Sequence, residues 1–143
     1  MMQKDAYWYQ QSGVIPYRIA AHATRHDNSI EIVLITSRKR KRWIIPKGII
    51  EPGMTAYESA EKEALEEAGI LGEVSSKAIS KYRHQKWGGT CEIVVFPLKV
   101  NMLLEKWDEM HLRQRKWMSI DTARRSVRNA TLKQLIADLP QLL

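Results

Sequence analysis

The order of the elements that the sequence predicts favours an α+β fold, an α/β/α sandwich around a mixed but mostly antiparallel sheet. Three observations support this prediction. Alternating and β-branched runs separated by short polar turns are typical of antiparallel strands, one glutamate-rich helix interrupts them, and a second amphipathic pattern closes the chain. With 143 residues of ordinary globular composition, the chain is expected to form a single domain over residues 1–143 with its own hydrophobic core.

The first two strands are predicted on either side of a short turn. Residues 1–12 are polar and aromatic without a clear period, and they predict a loosely attached N-terminal arm. Residues 13–22 alternate, and residues 30–37 form a β-branched run typical of a buried strand. Between them, residues 26–29 read His-Asp-Asn-Ser, which is a turn signal. The two strands are therefore expected to pair as a hairpin.

A glutamate-rich helix follows a loop that contains glycine and proline. Thr55 and Glu58 predict a capping box, in which each side chain accepts a hydrogen bond from the backbone N–H of the other residue. Residues 56–68 are mostly strong helix formers, and Gly69 stands where a left-handed C-terminal cap is expected. The helix is therefore expected to begin after Thr55 and to end before Gly69.

The glutamates of this helix fall on two different faces. At roughly 100° per residue, Glu63, Glu66 and Glu67 lie within about 100° of one another, whereas Glu58 and Glu61 point well away from them. Carboxylates on one face repel, and a bound cation would remove this penalty. A glutamate-rich helix is usually a solvated face, but a glycine loop in front of it favours a ligand site. Oxygen ligands select a hard ion such as Mg²⁺ or Mn²⁺.

Residues 48–70 resemble the Nudix box, Gly-x5-Glu-x7-Arg-Glu-U-x-Glu-Glu-x-Gly-U, where U is a bulky apolar residue. The positions in register are Gly48, Glu63, Glu66, Glu67, Gly69 and Ile70. Three positions depart from the pattern: Met54 replaces the first glutamate, Lys62 replaces the arginine, and Ala64 occupies a bulky apolar position. Lysine offers a point charge where arginine offers a two-pronged donor. These departures therefore bear on rate and substrate rather than on the fold.

The resemblance implies a fold, a reaction and a set of site residues. It implies a Nudix-type sandwich that hydrolyses a phosphoanhydride in X-linked diphosphate compounds, with Mg²⁺ (or Mn²⁺) as cofactor. The metal site that it implies consists of Gly48, through its carbonyl oxygen, with Glu63, Glu66 and Glu67. Glu63 and Glu67 are expected to hold the ion, and Glu66, offset from that pair, is the candidate general base. Members of the family differ in which glutamate serves as base, so this division of roles stays open.

Cations are concentrated around this segment, in a chain whose net charge is +7. Residues 38–42 read Arg-Lys-Arg-Lys-Arg directly before the predicted loop. Such a run is commonly a solvated loop or a nonspecific contact for nucleic acid, but its position here favours contact with phosphates held at the metal. Cations from other segments are also expected near the metal loop, because the predicted strands place them there. The predicted substrate-binding residues are Arg18, Arg38, Arg42, Lys47, Arg113 and Arg115. Their number favours a highly phosphorylated substrate.

The C-terminal half is expected to complete the sheet. Residues 72–86 and 90–100 predict two strands joined by a turn at Gly88 and Gly89. Pro97 is expected to end or bulge the second strand, because proline cannot donate to a ladder.

Further elements are predicted after this pair of strands. Residues 105–110 form an acidic loop, from which we expect no metal ligand, and residues 111–118 predict a short cationic strand. Asp121 is expected to cap a short helix, and residues 131–138 predict a final amphipathic helix.

Within the family, the chain looks most like the diphosphoinositol polyphosphate phosphohydrolases. Two runs outside the box carry this likeness, SRKRKRWIIPKG at 37–48 and LLEKWDEMHLRQRKWMSIDTA at 103–123. A small-molecule polyphosphate is therefore the expected partner. Two alternatives stay open: a hydrolase of dinucleoside polyphosphates or RNA 5′-pyrophosphates, and a catalytically weak Nudix-like module that binds nucleotide or RNA.

Cysteine and hydropathy bear on the compartment. Cys91 is the single cysteine, so no internal disulfide is possible, and no 18-residue apolar span or signal-peptide pattern is present. We therefore expect a cytoplasmic protein without a membrane partner, and nucleic acid only as an RNA 5′-end substrate. The sequence leaves the oligomeric state open.

Overall fold

A computed structural model describes residues 8–20, 29–86 and 88–143 of the chain. In these ranges the chain forms eight strands and three helices in an α+β arrangement. Their bounds are β1 (Trp8–Ile19), β2 (Ile30–Thr36), β3 (Trp43–Ile44), β4 (Lys47–Ile49), α1 (Ala56–Ala68), β5 (Ile70–Val74), β6 (Ser80–Lys86), β7 (Gly89–Leu103), β8 (Arg115–Ser119), α2 (Ile120–Ser126) and α3 (Ala130–Leu142).

The strands form one mixed sheet. Its central order is β3-β2-β1-β7-β5, while β4 pairs with β1, β6 with β7 and β8 with β2. The long central strands β1 and β7 run parallel, and the other pairs are antiparallel. The predicted mixed, mostly antiparallel sheet is confirmed. The predicted hairpin is also confirmed, because β1 and β2 pair antiparallel.

Buried side chains lie on both faces of the sheet. Val14 and Val33 pack on the α1 face, and their chain neighbours Ile15 and Ile32 pack on the face covered by α2 and α3. This alternation is what a sheet buried on both sides requires. On α1 the residues against the sheet are Ala60, Ala64 and Ala68, all fully buried. The small residue at position 64 therefore belongs to a closely packed helix–sheet contact, and the predicted sandwich is confirmed.

The predicted N-terminal arm is partly wrong. Strand β1 begins at Trp8, and residues 8–12 pair with β7 on one side and, from Gln11, with β4 on the other. Pairing with β7 and β4 holds this stretch in the sheet, and no local pattern in the sequence indicates that pairing. Residues 1–7, residues 21–22 of the predicted first strand and residues 26–28 of the predicted turn lie outside the described ranges.

The region after α1 differs from the prediction at two points. The predicted strand 72–86 is broken into β5 and β6, which pair with different parts of β7. Pro97 neither ends nor bulges β7, which continues through it to Leu103. Its carbonyl accepts the Ser75 N–H at 3.1 Å, so it faces the gap where β5 gives way to β6. Proline has no backbone N–H, but no strand pairs with β7 on that side of Pro97, so no hydrogen bond of the sheet is lost there.

The last elements begin a few residues away from their predicted starts. Strand β8 starts at Arg115, so residues 111–114 belong to the preceding loop. The N-cap of α2 is Ser119, whose side chain accepts the Thr122 N–H, while Asp121 lies in the first turn. Helix α3 runs from Ala130 to Leu142 and is longer than predicted. None of the helices in the described ranges is long and apolar enough to cross a membrane.

Candidate active site

Gly48 lies at the contact between β4 and helix α1. Its strand is held by pairing with β1, in which Ser12 stands opposite Gly48 and Gly13 opposite Lys47. A Cβ atom at Gly48 would overlap the Glu63 carboxylate and lie 2.8 Å from Glu63 Cγ. Only glycine therefore lets the Glu63 carboxylate lie against this backbone, and the structure brings these two predicted metal-site residues together.

Both predicted caps of α1 are confirmed. The Thr55 hydroxyl accepts the Glu58 N–H at 3.2 Å, and Glu58 Oε1 accepts the Thr55 N–H at 2.9 Å. Gly69 adopts a left-handed conformation with φ of 63°. A side chain here would be strained and would meet Trp107, whose Cβ lies 2.8 Å from the position of an added Cβ.

The C-terminal end of α1 is held by the loop that follows β7. A helix leaves its last carbonyls without partners inside the helix, and here four successive carbonyls, at residues 66–69, accept hydrogen bonds from that loop and from the start of β8. The donors, in the same order, are the Glu109 N–H (3.2 Å), the Trp107 indole (3.0 Å), the Arg115 guanidinium (2.7 Å) and the Leu104 N–H (2.8 Å). This segment therefore fixes the position of the last turn, which carries two of the three glutamates.

Glu63 is a carboxyl whose charge is disfavoured by its surroundings. Burial and the negative charges of Glu67, Glu66 and Glu109 raise its pKa from 4.5 to about 7. A cation bound among these groups would favour the ionised form of Glu63 and so lower its pKa.

Glu67 is the most buried of the three glutamates, with 8% of the residue exposed. Its Oε1 accepts the Lys47 backbone N–H at 3.1 Å, and its Oε2 accepts Arg113 Nη2 at 3.2 Å. Burial raises the pKa of Glu67 to about 7 and outweighs the opposing effects of Arg113 and of the Lys47 N–H. Each carboxylate oxygen has a second lone pair, so a metal ion could bind without breaking either contact.

Glu66 lies on the exposed side of this group. Its carboxylate is 3.5 Å from Lys62 Nζ, and the same lysine donates to Glu51 Oε1 at 2.5 Å. Lys62, which replaces the arginine of the family pattern, thus contacts two carboxylates, and the pairing with Glu51 raises its pKa. Glu51 lies three residues before Met54, the position where the pattern has its first glutamate.

A cleft of about 1100 Å³ opens beside this group. Of the predicted residues, its wall contains Arg38, Arg42, Lys47, Gly48, Glu67 and Arg113. The basic loop is tied down, because Ser37 and Arg42 exchange hydrogen bonds of 2.7 and 3.0 Å and Lys41 Nζ donates to the Leu112 carbonyl at 3.1 Å. The basic run therefore faces the glycine loop across the cleft.

Arg113 lies in the wall of the cleft but is largely occupied by protein contacts. Its side chain is 7% exposed and donates to Glu109, to the Thr36 carbonyl and to Glu67. It thus links the loop after β7, strand β2 and the glutamate helix. Its position fits a residue that orients Glu67.

Two predicted substrate contacts lie elsewhere. Arg18 is about six residues along β1 from Ser12, roughly 20 Å at about 3.3 Å per residue, where it pairs with Glu31 at 2.9 Å and stacks on Trp117. Arg115 donates to the carbonyls of Ala68 and Leu104 and stacks on Trp107. Neither arginine belongs to the wall of the cleft, so the structure does not bring these two predicted contacts together with the others.

Several residues at the site were not predicted from the sequence. Gln11, in the predicted arm, lines the cleft with 3% of the residue exposed, and Arg128 belongs to the same wall. Glu109, from a loop expected to add no ligand, is close enough for its charge to raise the pKa of Glu63 and Glu67. No local pattern marks these residues, because strand pairing and loop packing bring them to the cleft.

The residues present fit a divalent metal ion, although the part of the chain that the structure describes forms no preassembled cage. In residues 8–20, 29–86 and 88–143, no three His, Cys, Asp or Glu side chains converge on one point. The carboxylate of Glu63 nevertheless lies against the Gly48 backbone. Gln11 Oε1 and Ser12 Oγ, buried on the neighbouring strand, have no hydrogen-bond partner among the described residues. Oxygen atoms and clustered carboxylates are the donors that a hard cation prefers.

The sandwich, the glutamate-rich helix packed against a glycine loop and the cation-lined cleft beside them are features expected of a hydrolase that acts on phosphoanhydrides. The family model that describes the NUDIX domain matches residues 16–139. The chain therefore belongs to the Nudix hydrolase family, and it is a pyrophosphohydrolase acting on phosphoric anhydrides. Members of this family generally use divalent metal ions and act on small phosphate compounds.

Two kinds of relatives agree with this assignment. Nudix hydrolase 18, mitochondrial, of Arabidopsis thaliana is 38% identical over 94% of this chain and 77% of its own length. Diphosphoinositol polyphosphate phosphohydrolase 3-alpha of Mus musculus is 32% identical over 74% of this chain and 65% of its own length. The crystal structure of the C. elegans Ap4A hydrolase shares the fold, with a TM-score of 0.75, 20% identity and coverage of 94% and 98% of the two chains.

The names of these relatives overturn one expectation. Several of the Arabidopsis Nudix hydrolases that match the chain are named as mitochondrial proteins. The cytoplasmic location expected from the single cysteine and the lack of an apolar span is therefore wrong.

Proposed function

We propose that the chain is a Mg²⁺-dependent (or Mn²⁺-dependent) hydrolase of highly phosphorylated compounds similar to diphosphoinositol polyphosphates. The observation that carries this proposal is the wall of the cleft. Among the described residues, the wall contains seven cations and one carboxylate, that of Glu67, which is already paired with Arg113. The cations are Arg38, Lys39, Arg40, Arg42, Lys47, Arg113 and Arg128. Arg113 is already paired with Glu67 and Glu109, and a substrate with two phosphates would contact few of the other cations.

The residues of the site have different roles in the proposed hydrolysis. A bound divalent ion neutralises phosphate charge and lowers the pKa of a coordinated water, and the residues that would hold it are Gly48, Glu63, Glu66 and Glu67. Gly48 is held in place by the pairing of β4 with β1, and the Glu63 carboxylate lies against its Cα, where a side chain would otherwise stand. Arg113 orients Glu67 through a charge-assisted hydrogen bond.

Glu66 remains our candidate for the general base. About a third of its side chain is exposed, so water can reach it, and Lys62 lies on one side of its carboxylate. Glu67 is less suited to accept a proton from water, because it is buried and both of its oxygens accept hydrogen bonds from the protein. The family relationship leaves this division of roles open, so all three glutamates need to be tested.

Phosphate release from a panel of substrates, with and without Mg²⁺, tests the proposal. The panel contains a diphosphoinositol polyphosphate, a dinucleoside hexaphosphate, an RNA 5′-triphosphate and ADP-ribose. We expect the highly phosphorylated compounds to have the lowest KM. Changing Arg38 and Arg42 to Ala should raise that KM by about a hundredfold or more, because each of the two charge-assisted contacts contributes about 1.5–3 kcal/mol.

A matched control removes two charges elsewhere. Lys99 and Lys116 are exposed on β7 and β8 and lie outside the cleft wall, so changing both to Ala should leave KM nearly unchanged. A preference for ADP-ribose, or equal effects of the two double variants, would contradict the polyphosphate proposal. Absence of any turnover with Mg²⁺ or Mn²⁺ would favour a binding module instead.

A dinucleoside polyphosphate is the second candidate. Trp43 lies in the wall of the cleft beside apolar residues that include Ile44 and Leu132. An indole there could stack on a nucleobase, a contact worth about 1–3 kcal/mol per base in other proteins. Trp43→Leu should then raise KM for the dinucleoside compound and not for the inositol compound.

A further inference from the structure

A second hollow, of about 480 Å³, opens beside the cleft at the junction of α2 and α3. We call it the basic bay; it is lined by Arg42, Trp43, residues 125–128 and Lys133. The cleft and the basic bay share four of these residues, Arg42, Trp43, Val127 and Arg128. The two spaces are therefore contiguous. The volume of the basic bay lies within the range of about 300–1000 Å³ that is usual for ligand pockets.

On the side formed by α2 and α3, the residues that line the basic bay are attached to well-packed helices. Val127 is 2% exposed and belongs to the core, and its N–H donates to the Ala123 carbonyl as α2 ends. Lys133, in the first turn of α3, donates to the Arg124 carbonyl at 3.1 Å and so ties the two helices together. The cations of the basic bay thus rest on packed elements.

The lining of the basic bay has an unbalanced charge. The described residues of the lining include four cations, Arg42, Arg125, Arg128 and Lys133, and no carboxylate. Arg125 is paired with Asp121, but Asp121 does not belong to the lining. The pKa of Arg42 is lowered by desolvation, then by the positive charges of Arg128 and Arg40. Like charges that converge in this way repel one another, and an anion between them would relieve the repulsion.

We propose that the basic bay is a second anion-binding subsite, which holds non-reacting phosphate groups of the substrate. Arg128 is its central residue, because it lies in the walls of both the basic bay and the cleft. The site suits a compound that carries phosphates around a compact ring or along a chain, so that some reach the metal loop while others reach α3. This inference rests on the proposed polyphosphate function and extends it to residues that the glutamate motif does not include.

The experiment compares Arg128→Ala and Lys133→Ala with Lys99→Ala, a control that removes an exposed cation outside the linings of both spaces. Each variant is assayed with a diphosphoinositol polyphosphate and with ADP-ribose. For the first substrate we expect Arg128→Ala to raise KM by about tenfold, as for the loss of one charge-assisted contact, with kcat unchanged. For ADP-ribose, which has no phosphates other than the two joined by the phosphoanhydride, KM should stay within twofold.

A binding measurement separates this inference from the proposed function. Inositol hexakisphosphate contains no phosphoanhydride, so its affinity can be measured by calorimetry without metal and without turnover. We expect Arg128→Ala to weaken this affinity by about tenfold and Lys99→Ala to change it by less than twofold. If the wild type cleaves no polyphosphate while Arg128→Ala still shows this loss, the proposed function fails and the subsite stands.

Two outcomes would overturn the subsite. One is that Arg128→Ala and Lys99→Ala behave alike in both measurements. The other is that added orthophosphate or inositol hexakisphosphate changes kcat for ADP-ribose in the wild type and not in Arg128→Ala, because the basic bay would then bind a separate regulatory anion. Arg128 is exposed, and Arg128→Gln serves as a second variant of similar bulk if Arg128→Ala lowers the melting temperature.

Discussion

The raised pKa values of Glu63 and Glu67 predict that the metal-free protein becomes less stable as the pH rises from about 5 to 8. Both carboxyls have a pKa of about 7 in the folded protein, against an ordinary value of 4.5. Between these two values the unfolded chain has released protons that the folded chain still holds. Because the folded state binds more protons in this range, its stability falls with increasing pH.

The size of this effect follows from the two shifts. A shift from 4.5 to about 7 corresponds to about 3 kcal/mol for one isolated carboxyl, at about 1.4 kcal/mol per pKa unit. The two groups share their mutual repulsion, and solvent screens the half-buried Glu63, so we expect about 2–4 kcal/mol in total. For a chain of this length that is roughly 6–12 °C in melting temperature, at about 3 °C per kcal/mol.

The measurement is thermal unfolding at pH 5, 6, 7 and 8 with a chelator, for the wild type and for the double variant Glu63→Gln with Glu67→Gln. The variant keeps the same histidines, so the difference between the two curves isolates the two carboxyls. Glu58 and Asp121, whose pKa values are lowered, titrate below this range and do not offset the effect. Parallel curves for the two proteins would refute the reasoning.

The same measurement with Mg²⁺ tests the role of the glutamates as ligands. Metal binding requires ionised carboxylates, and a ligand that binds only the folded state stabilises it more strongly the higher its concentration is relative to its Kd. The rise in melting temperature on adding Mg²⁺ should therefore be larger at pH 8 than at pH 5, and it should be small in the double variant.

Three further predictions concern single residues. Loss of one carboxylate from the metal face, in Glu63→Gln, Glu66→Gln or Glu67→Gln, should lower kcat by on the order of 10²-fold or more. In Glu58→Gln and Glu61→Gln, kcat should hardly change. Equal losses in Glu61→Gln and Glu66→Gln would show that the metal face has been assigned to the wrong side of the helix. Lys62→Arg should leave kcat unchanged or raise it, because a guanidinium can still reach the carboxylates of Glu51 and Glu66, and a large loss would mean that the lysine itself has a specific role. Trp107→Phe removes the donor to the Glu67 carbonyl and should lower the free energy of unfolding, measured in urea, by about 1 kcal/mol. It should also lower kcat, because the last turn of α1 would shift; an unchanged kcat would mean that Trp107 does not position this turn.

The sequence by itself determined helix α1 and its glutamate face. The bounds of this helix follow from Thr55, Glu58 and Gly69, whose capping interactions span three or four residues and need no distant partner. The spacing of the glutamates on it follows from helical geometry alone. The match to the box therefore predicted the family, and the hydrophobic runs predicted the sandwich.

Only the tertiary structure decided which other residues surround that helix. Arg18, Arg113 and Arg115 look equivalent in the sequence. The register of β1 and β2 nevertheless places Arg18 away from the cleft, and Arg115 donates a hydrogen bond to the C-terminal end of α1. Gln11 reaches the cleft because β1 pairs with both β4 and β7, and Arg128 because α2 ends beside the basic loop. Such contacts join residues far apart in the chain, and they depend on pairings and packing that no local pattern contains.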